Sequence, residues 1–152
     1  MKRILFVCHG NICRSPMAEF VMKELVREAG RSDEIRVASK ALHTDALGGD
    51  MHCGTRAVLR AHGIPFVRRS AALMTRADYA AYDCIVGMDR ENMRDLDRLT
   101  DGDPRGKVCK LLSFTGTNRD VADPWYTGDF DTAYRDVDAG CRALLRHLTE
   151  TE

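Results

Sequence analysis

An eight-residue turn between a buried strand and a helix constrains this chain more than any other feature. Lys2-Arg3-Ile4-Leu5-Phe6-Val7 reads as the strand, since a short unbroken apolar run suits burial on both faces. Met17, Phe20, Val21 and Leu25 then fall at i, i+3, i+4 and i+8, which is one face of a helix. Pro16 suits its first position, Ser15 the cap before it, and Gly30 its end. Between the two lies Cys8-His9-Gly10-Asn11-Ile12-Cys13-Arg14-Ser15. Such a turn aims backbone N–H groups and the positive end of the helix at one spot, which is a ready anion site.

The remaining chain keeps alternating. Residues 35–39 read as a second strand, and 40–54 as a loop rich in Gly, His and Asp. Thr55 to His62 reads as a helix stopped by Gly63 and Pro65. Thr75 opens a short helix with a weak capping-box signal. Cys84–Met88 reads as a third strand, Arg90–Leu99 as a helix and Lys107–Leu112 as a fourth strand. A loop of about ten to fifteen residues follows. Tyr134, Val137, Cys141, Leu144 and Leu148 mark the face of a closing helix. Strand–helix alternation predicts an α/β fold: one three-layer domain over residues 1–152, with a four-stranded parallel sheet and helices on both faces. Ligands of such sheets bind beyond the carboxyl ends of the strands. The Cys8 turn and the loop carrying Asp123 both fall there.

Lys plus Arg number 23, as do Asp plus Glu, so composition gives no case for nucleic acid or an anionic membrane as partner. The apolar start is too short for a signal-peptide core, and a cytoplasmic protein with reduced thiols is expected. Cys53, Cys84, Cys109 and Cys141 are then expected to be small core residues.

The turn itself carries the chemistry. Helix N-termini and cations favour a thiolate, and Cys8 has both beside it. The thiolate is a nucleophile. Arg14 can grip two phosphate oxygens at once, and more tightly as charge builds on them. Gly10 permits a tight bend, and Asn11 tolerates a left-handed backbone while its amide holds the loop. Ser15 is placed to hydrogen-bond the Cys8 sulfur and ease its departure. The bland alternative is two buried thiols in an ordinary strand–helix turn.

Val7-Cys8-His9-Gly10-Asn11-Ile12-Cys13-Arg14-Ser15-Pro16-Met17-Ala18-Glu19 resembles the signature of low-molecular-weight protein tyrosine phosphatases. Asp83 to Asn92 is similar to the family's third strand and M-D-x-x-N turn, and Asp123-Pro124-Trp125-Tyr126 to its acid loop. The resemblance spans nearly the whole chain. It implies a phosphatase acting through a cysteinyl-phosphate, with Cys8, Arg14 and Asp123 catalytic and no cofactor or metal. Asp123 would protonate the leaving oxygen and then activate water, work worth roughly 10²–10⁴-fold. Pro124 restricts Asp123 to an extended backbone. Asp129 and Asp131 are rivals, the latter better read as a helix cap. His9, Gly10, Asn11, Ile12, Cys13 and Ser15 would form the phosphate cradle. Trp125 and Tyr126 either wall the pocket or pack their loop down, Trp125 favouring the wall.

The resemblance also implies a reversible Cys8–Cys13 disulfide that spares the nucleophile from over-oxidation, with a thiol reductant as partner for reactivation. Ser39 would support Asn11. Ile12 stands where phosphoarginine-specific members carry threonine, so it favours phosphotyrosine or a small aryl phosphate as substrate. Two departures bear on selectivity. The loop after the second strand lacks the family's frequent tryptophan, offering only His43, and Arg69-Ser70-Ala71-Ala72 replaces His-x-Ala-Arg. Arg68-Arg69 is read as a solvated turn or a contact for an acidic substrate patch. His43, His52 and Cys53 match no standard metal spacing and read as surface residues. Arsenate reduction, phosphoarginine hydrolysis and a non-catalytic phosphate-binding module are the alternatives. Arsenate reduction needs a further thiol pair, and Cys84 has no cysteine within the next twenty-four residues.

Overall fold

Alternate residues of the first strand face two different layers, and this sets the architecture. In the computed structural model, which describes residues 1–150, β1 spans Lys2–Cys8. Ile4, Phe6 and Cys8 enter one apolar cluster, Leu5 and Val7 another. Side chains of a strand alternate in this way, so a strand apolar at both parities must be covered twice. The strands β2 (Ile35–Ala41), β3 (Cys84–Gly87) and β4 (Val108–Lys110) join it in a parallel sheet of order β2-β1-β3-β4. The expected α/β three-layer fold is therefore observed.

The first cluster lies beneath α1 (Arg14–Glu28) and α6 (Phe130–Glu150), which pack on each other, with α2 (Cys53–Ala61) beside them. The second lies beneath α3 (Arg76–Ala81) and α4 (Arg90–Leu99). Helix α1 has no side-chain cap. Its hold comes from burial: Met17, Val21 and Met22 are wholly enclosed, and each such side chain stabilises by roughly 1.5–3 kcal/mol. Helix α6 comes close to the sheet edge at Gly140, where an added Cβ would sit 2.4 Å from Leu111 Cγ.

Several expectations need correction. Ser15 does not cap α1; Cys13 holds that position, and the Ser15 hydroxyl turns back to the cradle. The fourth strand stops at Lys110, and Leu111–Thr115 forms a 3₁₀ turn. An apolar run alone does not separate these two states. Asp129, not Asp131, caps α6, accepting from the Thr132 N–H at 2.9 Å. Cys53 is exposed and Cys84 and Cys109 are half-buried, leaving Cys141 as the enclosed one of the four. No helix among the described residues is long and apolar enough to cross a membrane.

Candidate active site

The segment 9–13 closes a loop between β1 and α1, and its carbonyls are turned outward. Leu42, His43 and His52 donate their N–H groups to the carbonyls of Cys8, His9 and Ile12 at 3.0, 2.9 and 2.8 Å. The Thr55 hydroxyl donates to Cys13 O at 3.3 Å. The N–H groups of His9 to Cys13 donate to no backbone carbonyl among the described residues. Cys8, His9, Gly10, Ile12, Cys13 and Arg14 line a cavity of about 180 Å³. Asn11 takes the left-handed backbone expected of it, with φ 58°. A left-handed backbone costs a non-glycine residue about 1–2 kcal/mol, so the loop must be held.

It is held through the wholly buried Asn11 amide. Its Nδ2 donates to Ser15 Oγ at 2.8 Å and to Ser39 Oγ at 2.9 Å. Ser39 in turn donates to Glu19 Oε1 at 2.6 Å. The Asn11 carbonyl accepts from the Arg69 guanidinium. Arg69 is thus neither a solvated turn residue nor poised for an acidic substrate patch. Burial draws its pKa down, with Glu19, Asp50 and Cys8 opposing. Ser39 behaves as expected, while the role of Arg69 had no sequence signal beyond its place in the departed His-x-Ala-Arg motif.

Cys8 is 3% exposed and accepts from the Ser15 N–H at 3.4 Å, with Ser15 Oγ at 3.1 Å from the sulfur. Arg14 is 2% exposed. Its Nη1 donates to Asp89 Oδ2 at 2.6 Å and Val121 O at 2.9 Å, and its Nη2 to Asp123 Oδ2 at 3.3 Å. Burial works against its charge, but Cys8, Asp123 and Asp89 outweigh it and raise the pKa. Arg14 Nε is buried with no hydrogen-bond partner among the described residues. A buried orphan N–H on a cation is costly, and an oxyanion in the cradle would satisfy it.

Asp89 went unread as a site residue. It caps α4 with one oxygen, accepting from Asn92 N–H at 2.8 Å, and braces Arg14 with the other. Asp123 has the extended backbone expected before proline, at φ −78° and ψ 111°. It caps the single-turn α5 (Pro124–Thr127), its Oδ1 accepting from Trp125 N–H at 3.1 Å. Val121 N–H donates to Met88 O at 2.9 Å and ties this loop to the end of β3.

Ile12, Trp125 and Tyr126 stand at the cavity mouth. Trp125 is 60% and Tyr126 82% exposed, and the Trp125 ring meets His52 edge-on with centroids 5.7 Å apart. Asp45 and Ala46, from the loop where a tryptophan was noted as missing, also line the cavity. Cys13 is buried beside Cys8. Burial first, then Cys8 and Asp123, push its thiol up to about 12. His43, read as a surface residue, stacks on His9 with ring centroids 4.1 Å apart.

Cys84 does have a thiol neighbour. Cys109 on β4 hydrogen-bonds it and, with burial, pushes its pKa up. Yet Cys84 pairs with Ile4, four residues before Cys8 on β1, or about 13 Å at 3.3 Å per residue. That pair lies too far along the sheet to relay a disulfide from Cys8, which weighs against arsenate reduction.

Residues 3–152 match the model of the family described as low molecular weight phosphotyrosine protein phosphatase. The low molecular weight protein-tyrosine-phosphatase YfkJ of Bacillus subtilis is 35% identical over 97% of this chain and 96% of its own. Its crystal structure superposes with a TM-score of 0.96 at 33% identity, covering 100% of this chain and 97% of that one. PtpA of Staphylococcus saprophyticus, named likewise, is 36% identical over 97% of this chain and 94% of its own. The structure of DARP, a drosophila arginine phosphatase, superposes with a TM-score of 0.88 at 28% identity, covering 97% and 98%.

Proposed function

The chain belongs to the low molecular weight phosphotyrosine protein phosphatase family and is a phosphatase, and from that premise we propose that it hydrolyses phosphotyrosine through a cysteinyl-phosphate at Cys8. The observation that carries the reading is the convergence of Cys8, Arg14 and Asp123 on one cavity, with Arg14 Nε buried and unpartnered there. The Cys8 thiolate attacks phosphorus in line. The bond from phosphorus to the phenolic oxygen breaks as Asp123, in its acid form, gives that oxygen a proton. Arg14 and the loop N–H groups hold the three equatorial oxygens, where charge gathers in the transition state. Water then attacks phosphorus and loses its proton to the Asp123 carboxylate. The sulfur leaves as thiolate, with the Ser15 hydroxyl donating to it, and inorganic phosphate departs. None of these steps needs a metal.

Substrate choice follows from shape. The sulfur lies at the base of a recess flanked by Ile12 and the exposed Trp125, which suits a flat ring on a long phosphorylated side chain. The likeness to an arginine phosphatase is a likeness of fold, and Ile12 favours the aryl ester. Residues 1–152 work as one catalytic domain in the reducing cytoplasm. Under peroxide, Cys8 sulfenic acid condenses with the Cys13 thiol, releasing water and forming a disulfide that a cellular thiol reductant reopens.

The test is hydrolysis of an aryl phosphate and a phosphotyrosine peptide in EDTA, with phosphoarginine alongside. Cys8→Ser abolishes turnover but retains phosphate binding. Asp123→Asn slows phenolic ester cleavage by about 10²–10⁴-fold. Turnover surviving Cys8→Ser, or phosphoarginine outpacing the peptide, refutes the assignment.

A further inference from the structure

Three carboxylates ring two imidazoles on the rim of a pocket built for an anion. We propose that His9, His43 and Glu91 form a binding site for one borderline divalent cation of the zinc, nickel or copper class. The three residues come from three elements: the cradle, the loop after β2 and the first turn of α4. One donor atom from each lies within 4.8 Å of the other two.

The hydrogen bonds around the rings choose the donors. His9 Nε2 meets Asp45 Oδ2 at 2.5 Å, and His43 Nε2 meets Asp95 Oδ2 at 2.8 Å. A carboxylate on one ring nitrogen keeps the proton there and leaves the other nitrogen with its lone pair. This carboxylate–histidine pairing is what orients imidazoles on metals, and it occurs here twice. Both Nδ1 atoms are thereby left as donors. Glu91 Oε1 lies 4.0 Å from His9 Nδ1. The His43 N–H bond to His9 O, at 2.9 Å, ties the two backbones together.

A tetrahedral ion with bonds of about 2.0–2.1 Å needs donors about 3.3 Å apart. The side chains, whose donors lie up to 4.8 Å apart, must therefore close by up to about 1.5 Å, and the stacked rings, now 16° from parallel, must tilt open. Both histidines are half-buried and Glu91 is exposed, so that motion disturbs no core contact. Two imidazoles, one carboxylate and a water complete a shell that borderline ions favour over magnesium or calcium. A dication also offsets the charge of Asp45, Glu91 and Asp95, which would otherwise repel an incoming phosphate dianion.

Binding is the readout, because other thiols compete. Cys8 lies in the same cavity, and exposed Cys53 sits 3.8 Å from His52 Nδ1. Zinc is therefore titrated calorimetrically into Cys8→Ser/Cys53→Ser protein, with the imidazole NMR signals of all five histidines followed. One zinc binds per chain, shifting His9 and His43 while leaving His62 and His147 in place. His43→Ala weakens binding at least tenfold, and Glu91→Gln weakens it less. Asp95→Asn, which touches zinc only through His43, weakens it about 10–100-fold. No binding below millimolar zinc, or affinity undiminished in His43→Ala protein of unchanged melting temperature, overturns the site. Undiminished affinity in Asp95→Asn overturns the positioning role of that carboxylate.

Discussion

Asp89 has two acceptor oxygens and two separate tasks, so substitutions can take the tasks apart. One oxygen braces Arg14 at 2.6 Å and the other caps α4 at 2.8 Å. A charge-assisted hydrogen bond to a buried cation contributes about 1.5–3 kcal/mol, and a helix cap about 1 kcal/mol. Asp89→Ala removes both and should destabilise by about 3 kcal/mol, or about 6–12 °C in a chain of this length. Asp89→Ser keeps a good cap but cannot reach Arg14, so it should lose about 2 kcal/mol. The two variants should nevertheless lose the same activity. Without Asp89, Arg14 retains Val121 O and Asp123, and the Asp123 ion pair draws it off the phosphate position. Misplacement of about 1 Å costs on the order of 10²-fold, and the loss should appear in kcat, since the grip matters most in the transition state. Melting curves and aryl phosphate kinetics on both variants measure this. Wild-type kcat in Asp89→Ser, or equal melting temperatures for the two variants, would refute the division of labour.

Asn11→Gly keeps the left-handed backbone and loses the amide bonds, whereas Asn11→Ala loses both; the alanine variant should be the less stable of the two by about 1–2 kcal/mol, and denaturant titration checks the order. Iodoacetamide at pH 7.5 should label Cys8 and Cys53 but spare Cys13, because burial pushes that thiol up to about 12 and leaves a thiolate fraction below about one in ten thousand; peptide mass spectrometry with and without phosphate, which should shield Cys8 alone, reads this out. Gly140→Ala should destabilise by about 1–3 kcal/mol despite alanine's better helix propensity, because the new methyl would stand 2.4 Å from Leu111 Cγ; a raised melting temperature would show that Leu111 yields freely.

The groups that would touch phosphate were legible because their geometry is local. Cys8, Asn11, Arg14 and Ser15 share one turn, and a strand feeding a helix leaves that turn few shapes. Asp123 was legible only through the resemblance of Asp123-Pro124-Trp125-Tyr126 to the family's acid loop, since a lone aspartate before proline also reads as an ordinary turn. What escaped was the bracing. Asp89 lies 75 residues from Arg14, and Arg69 lies 58 from Asn11. Periodicity carries no trace of such contacts, since strand order and loop packing create them. The fourth strand failed differently: Leu111 and Leu112 are buried as a strand would bury them, but as a 3₁₀ turn against α6, and apolarity does not distinguish the two.

Arg69 shows how a departure from a family pattern can mislead. Read alone, replacing His-x-Ala-Arg with Arg69-Ser70-Ala71-Ala72 bears on substrate selectivity. In the fold this position supports the loop, because the Arg69 guanidinium meets the Asn11 carbonyl. An arginine in that place has a physical consequence. An imidazole supporting Asn11 would gain or lose its charge near neutral pH, whereas a guanidinium keeps its charge even when burial lowers its pKa. The support of the phosphate cradle is therefore insensitive to pH across the working range.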